Sequence, residues 1–345
     1  MRALVTGGAG FIGSALVLRL VADGHDVCTI DKLTYAGDLR NLADVDGHNR
    51  HRFVQGDITN ATLIASTIGE FDPEAIFHLA AESHVDRSID GPAEFIQTNV
   101  VGSFVMLEAA LAHAKVRDGM RFLHVSTDEV YGSLGPTGLF SETSPYAPNS
   151  PYAASKAGSD CLVRAWHRTY GLEAMISNCS NNYGPRQNAE KLIPTIIRNA
   201  LMGRDIPIYG DGMNVRDWLY VDDHIDAMLT IVRDGRAGEK YNIGGDNEVT
   251  NIDMARFICT HLDTHKPRAT GSYADQIAYV QDRPGHDRRY AIDPTKTAND
   301  LGWTPAFAFE TGMARTIDWY LADEARWTTR AGEGDRIGLR SDSET

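Results

Sequence analysis

Short apolar, β-branched runs alternate with longer stretches of helical period through the first half of the chain. Runs at Ala3–Thr6, Asp26–Ile30, Arg52–Gln55, Ala75–Ala80, Phe122–Ser126 and Ala174–Asn178 predict strands with both faces buried. Between them, apolar positions at helical spacing predict helices over Ile12–Asp23, Ala93–His113 and Pro151–Tyr170. Gly24 and Gly171 stand just past two of these, where a left-handed residue closes a helix. Strand and helix in alternation imply an α/β fold, a Rossmann-type doubly wound parallel sheet. After about residue 180 the pattern loosens, and Pro207–Tyr209 and Lys240–Ile243 read as short, isolated strands. The expected division is therefore a cofactor domain over 1–178 and a smaller mixed α/β substrate lobe over 179–327, some segments of which return to the first domain. The remainder, 328–345, is polar and unpatterned, and disorder is expected there.

Composition narrows the function. A net charge of −14 disfavours a duplex nucleic-acid partner, which needs a basic face to displace counterions. No apolar run stands out as long enough to span a bilayer, and no basic, then apolar leader precedes the first strand, so a soluble cytoplasmic enzyme is expected. Cys28, Cys161, Cys179 and Cys259 are widely spaced, without a CxxC pair, so neither a metal site nor a disulfide frame is expected.

The first predicted strand runs into Gly7-Gly8-Ala9-Gly10-Phe11-Ile12-Gly13, which opens a helix. Gly7, Gly10 and Gly13 suit a tight turn, a close pyrophosphate and close helix–strand packing, and the helix N-terminus offers amides to phosphate. Asp31 ends the second strand where a carboxylate meets ribose hydroxyls, favouring NAD over NADP, although the adjacent Lys32 could tolerate a phosphate. Asp57 in Gly56-Asp57-Ile58 suits either the adenine edge or a helix cap before Asn60. Further along, Ser150 and Pro151 form a helix start, placing Tyr152 and Lys156 four residues apart on one face. An ammonium beside a phenol favours the phenolate and lowers its pKa, so this pair can take a proton from a hydroxyl as hydride departs.

The glycine turn and the Tyr152/Lys156 pair resemble the extended short-chain dehydrogenase/reductase family over nearly the whole chain, to about residue 320. The resemblance puts Thr127 on the reacting oxygen. The run Thr127-Asp128-Glu129 resembles that of the family's sugar-nucleotide 4,6-dehydratases, with Asp128 as acid and Glu129 as base. A ketone at C4 acidifies the C5 proton, a carboxylate can remove it, and a protonated carboxyl can assist loss of the C6 hydroxyl. The implied substrate is dTDP-glucose. UDP-glucose, or less readily 4-epimerisation of a UDP-sugar, is the alternative.

Further motifs carry the same resemblance. Ala80, Ala81, Ser83 and His84 follow the fourth strand and would line nicotinamide and sugar, although His84 also suits a buried polar role. Asn99 and Asn178 are expected at the cofactor, and Asn181, Lys191 and Leu192 at the substrate. Arg216, Asn251, Arg283 and His286 match nucleotide-clamp positions, whereas Arg288 and Arg289 equally suit surface ion pairs. Beyond Pro185, the loop Gly184–Ala189 lacks the aromatic or further proline residues often found there, which leaves the choice of base or sugar open. By analogy, a homodimer would form through the helices near Ala93–His113 and Pro151–Tyr170.

Overall fold

A computed structural model describes residues 1–282 and 285–324; the 328–345 tail and Arg283 lie outside them. β1 (Arg2–Thr6), α1 (Phe11–Ala22), β2 (Asp26–Asp31), β3 (His51–Gln55), α2 (Ala61–Phe71) and β4 (Ala75–His78) build the first half of a parallel sheet. β4 ends two residues before the predicted Ala80, because Leu79 and Ala80 donate their amides to the Thr6 hydroxyl. After α3 (Val85–Asp90), a single helical run spans Pro92–Ala114, as α4 (Pro92–Phe95), wide π-type turns over Ile96–Gly102 and α5 (Ser103–Ala114). By length and composition this run could cross a bilayer, contrary to the sequence reading; here it packs between α2 and α6 (Pro151–Tyr170).

β5 (Arg121–Thr127) and β6 (Ala174–Cys179), on either side of α6, extend the sheet. Ser150 caps α6 by accepting from the Ala153 amide, Pro151 occupies its first turn, and Gly171 closes it at φ 75°. The second lobe follows with β7 (Asn181–Tyr183), α7 (Leu192–Leu201), β8 (Ile206–Tyr209) and β9 (Val215–Tyr220). The chain then returns through α8 (Val221–Asp234), which packs on α1 and β5, and β10 (Lys240–Ile243), which pairs in parallel with β6. β10 is therefore not isolated. It completes a seven-stranded sheet of order β10-β6-β5-β4-β1-β2-β3. β11 (Glu248–Thr250), α9 (Asn251–His265), β12 (Ile277–Val280), α10 (Thr295–Leu301) and α11 (Phe309–Ala322) follow, with β11-β9-β7 and β12-β8 forming two small sheets.

Three buried clusters hold these layers together. Leu16, Val17, Leu20, Met228 and Ile231 cover one face of the large sheet, and Ile64, Met106, Leu107 and Val163 cover the other. The second lobe has a core of its own, built by Ile193, Ile196, Trp218, Met254, Ile258 and Met313. β1 and β4 are neighbours, and the chain leaves β1 towards β2 but leaves β4 towards β5, so the crossovers run in opposite directions from this pair. That divergence opens a crevice at the carboxyl ends of the strands.

Candidate active site

Two adjoining cavities fill this crevice, and Ser83, Glu129, Asn181, Glu190 and Lys191 line both. The first is walled by Gly7, Gly10, Phe11, Ile12, Gly13, Asp31, Lys32, Ile58, Ala80 and Ala81 at one end and by Thr127, Asp128, Glu129, Tyr152 and Lys156 at the other. The second, against the smaller lobe, adds His84, Leu192, Arg216, Asn251 and His286. Most of the residues singled out along the sequence thus meet in one cleft.

The glycine turn fits a dinucleotide. Gly10 caps α1 without any side-chain hydrogen bond, so the first-turn amides face the cleft. A Cβ at Gly10 would approach only the Gly7 carbonyl, at 3.3 Å, leaving room for a phosphate. Gly13 is constrained differently, since its Cβ would stand 2.1 Å from the Gly7 oxygen and 2.8 Å from the Gly8 Cα. Backbone cannot yield as a side-chain tip can. Gly13→Ala is expected to cost about 1–3 kcal/mol of stability and to weaken NAD binding, read from the urea midpoint and a cofactor titration.

Several expected cofactor contacts are engaged elsewhere. Asp31 lies on the wall, but its oxygens accept from the Ala9 and Leu33 amides at 2.9 and 2.8 Å, tying the glycine turn to β2. Asp57 does not line the cleft; it accepts from the Thr59 amide and pairs with Lys32 at 2.9 Å. Nor does it cap α2, because Asn60 does, accepting from Leu63. Asn99, in the wide turns of its helix, is fully used by the Glu82 backbone and Ser155 Oγ. Asn178 is buried behind the site, donating to the Thr127 carbonyl at 3.1 Å and to Asp160 at 3.3 Å. Asn99 and Asn178 therefore support the wall without forming it.

At the chemical end, the Thr127 hydroxyl donates to Asp128 Oδ1 at 3.2 Å and accepts from the Glu129 amide at 3.3 Å. Asp128 is 1% exposed, and its Oδ2 has no hydrogen-bond partner among the described residues. Burial, and then the negative charge of Glu129, push its carboxyl well above the usual range, which favours the protonated form. Lys156 is equally buried; its ammonium donates to the Val125 carbonyl at 2.8 Å, and burial lowers it to about 8. Tyr152 departs from expectation. Burial and the Glu129 charge raise its phenol well above 10, while a hydrogen bond with Thr127 opposes them. In this arrangement Lys156 donates to the Val125 carbonyl and not to Tyr152, so it can act on the phenol through its charge but not through a hydrogen bond.

In the second cavity, Lys191 caps α7 and its ammonium reaches the Ser83 carbonyl at 2.8 Å. His84 caps α3 by accepting from the Arg87 amide, with Glu190 3.5 Å away. Arg216 lies 4.3 Å from the Tyr290 ring centre and donates to the Asp287 carbonyl. His286 pairs with Asp282 at 2.6 Å. Arg288 and Arg289 are taken up by Asp211 and Glu248, the ion-pair alternative left open above. Asn181 and Asn251 each carry a buried carbonyl oxygen without a partner among the described residues, as expected where a ligand completes the hydrogen bonding. No group of three His, Cys, Asp or Glu among those residues is arranged to hold a metal ion.

Sequence reasoning missed Glu190, whose side chain is 5% exposed between the two cavities and whose carboxyl burial raises to about 7. It missed Tyr209 and Tyr290 as well. Each is an ordinary residue of its segment, with no spacing signal to mark it.

The family described as GDP-mannose 4,6 dehydratase matches residues 4–316. The chain is 55% identical to the dTDP-glucose 4,6-dehydratase of Xanthomonas campestris pv. campestris (strain B100), over 97% of this chain and 98% of that protein. It is 53% identical to dTDP-glucose 4,6-dehydratase 1 of Escherichia coli (strain K12), over 97% and 96%. Among solved structures, the dTDP-glucose 4,6-dehydratase DesIV of Streptomyces venezuelae, with NAD bound, superimposes with a TM-score of 0.88 at 48% identity, covering 95% of this chain and 99% of that one. The UDP-glucose 4-epimerase of Thermotoga maritima superimposes with a TM-score of 0.84 at 30% identity, covering 94% and 100%.

Proposed function

Since the chain belongs to the GDP-mannose 4,6-dehydratase family, we propose that it dehydrates dTDP-glucose to dTDP-4-dehydro-6-deoxy-glucose with NAD as resident cofactor. The observation that carries this reading is the pair Asp128 and Glu129, the former fully buried and shifted towards its protonated form, in the same cleft as Tyr152 and Lys156. Oxidation and return of hydride alone, as in 4-epimerisation, would leave both carboxyls without a task.

The nicotinamide, when bound beside Tyr152, supplies a hydride acceptor that later becomes the donor. Tyr152 takes the proton of the C4 hydroxyl, with the Thr127 hydroxyl and the Lys156 ammonium favouring the phenolate. The C4 ketone makes the C5 hydrogen acidic, and Glu129 removes it. Asp128 gives its proton to the C6 hydroxyl, which leaves as water. Glu129 then returns a proton to C5 as hydride reaches C6. Asn181, Lys191, Arg216 and Asn251 hold the nucleotide end in the second cavity, where Lys191 and Arg216 bring positive charge towards the diphosphate.

A single incubation tests this. With dTDP-glucose in deuterated water, the product is expected to carry a 4-keto group, to lack the C6 oxygen and to hold deuterium at C5. An epimer without deuterium at C5 would overturn the reading. UDP-glucose in a parallel incubation is expected to be the poorer substrate. The same reading has the enzyme working in the cytoplasm as a homodimer, supported by the exposed Ile96, Phe104 and Tyr170 on the paired helices α4–α5 and α6.

A further inference from the structure

Behind Lys156 lies a buried carboxylate that the reaction as described does not use. Asp160 stands one helical turn beyond Lys156 on α6 and is 1% exposed. Its Oδ2 accepts from Ser126 Oγ at 3.0 Å, the Tyr146 hydroxyl at 2.8 Å and Asn178 Nδ2 at 3.3 Å. Its Oδ1 lies 3.3 Å from His124 Nε2, which is itself 3.4 Å from the Lys156 ammonium. β5, β6, α6 and the segment leading into α6 therefore all converge on this one side chain.

A carboxylate so deeply buried survives as an anion only if donors and a cation compensate for lost water. Burial pushes Asp160 upward, yet His124, Lys156 and Tyr146 outweigh it, and the carboxyl stays below the usual range. Lys156 has the reciprocal need. Its one short hydrogen bond is to a neutral carbonyl, and Asp160 is the foremost group opposing the loss of its charge. Other carboxyls stand nearby, Glu129 and Asp128 beside Tyr152 and Glu142 beside Tyr131 and Lys240, but none of them is among the groups that act on Lys156. His78 and His124 are buried and held neutral, Cys179, Tyr131 and Tyr146 are held as neutral acids, and Lys240, over the Tyr146 ring, is a second cation.

Resting on the reading that Tyr152 and Lys156 run the proton step, we propose that Asp160 is a positioning residue, the buried counter-charge that keeps Lys156 an ammonium beside Tyr152. The pair shares its first proton loss between two forms, ammonium with phenolate or amine with phenol, and only the former accepts the C4 proton. An anion beneath Lys156 favours the former. Without it the proton leaves Lys156 instead, and it leaves at lower pH because nothing holds the positive charge.

The test is Asp160→Asn in the full-length enzyme loaded with NAD, with kcat for dTDP-glucose followed across pH. The kcat plateau is expected to fall at least about tenfold with KM little changed. The apparent pKa of the acidic limb should move down by about one unit, as for loss of a nearby opposite charge. Tyr146→Phe, which removes a hydrogen bond to Asp160 but no charge, should leave the limb in place. A plateau that falls with an unmoved limb, or the same displacement in Tyr146→Phe, would make Asp160 a structural tie and overturn the proposal. If Asp160→Asn does not fold, Asp160→Glu decides: the retained charge should keep the limb at its wild-type position, and a downward displacement overturns the idea. A wild-type enzyme inactive on dTDP-glucose would sink the reading of function and this inference with it. An active wild type with an Asn variant unchanged in plateau and limb would sink this inference alone.

Discussion

Glu129→Gln is expected to stop the reaction between oxidation and elimination. The amide preserves size and can still accept a hydrogen bond, but it cannot take the C5 proton. Loss of a positioned general base costs about 10²–10⁴-fold in rate, so product formation should fall by that much. Tyr152, Lys156 and Thr127 remain, so the first half of the chemistry should proceed. The nicotinamide absorbance of the mixed enzyme and dTDP-glucose should therefore rise and persist instead of decaying. If this variant dehydrates at the wild-type rate, Glu129 is not the base.

Tyr152→Phe should fail one step earlier. The ring still fits its edge-on contact with Phe95, whose centroid is 6.3 Å away, so packing is largely kept. The hydroxyl proposed to take the C4 proton is gone, and turnover should again fall about 10²–10⁴-fold. The contrast lies in the absorbance, which should stay at the oxidised level throughout. A Tyr152→Phe enzyme that accumulates reduced cofactor would show that another group takes the C4 proton. The two variants together separate what begins the reaction from what directs it to elimination.

The fold was readable because its signals are local. Gly7, Gly10 and Gly13 mark a turn, Ser150 and Pro151 a helix start, and alternating periods a parallel sheet. The destination of β10 was not readable, since a four-residue strand carries no indication of its partner. At the site, spacing brought Tyr152, Lys156, Asp128 and Glu129 to one strand end and one helix face. It could not foresee that Lys156 would address the Val125 carbonyl, or that Asn99 and Asn178 would turn behind the wall, because side-chain aim depends on neighbours distant in the chain. Asp160 was invisible for the same reason. Its partners Ser126, Tyr146 and Asn178 come from three separate segments.

The return of the chain to pair β10 with β6 has a consequence for synthesis. β6 is buried along its whole length, yet one of its edges stays open until Lys240–Ile243 has emerged. An unpaired apolar edge is a template for association with other chains. The cofactor half cannot therefore finish folding as its own residues leave the ribosome; it must wait for the smaller lobe. A fragment ending at residue 178 should be sticky and should gain solubility when a segment carrying β10 is supplied in trans.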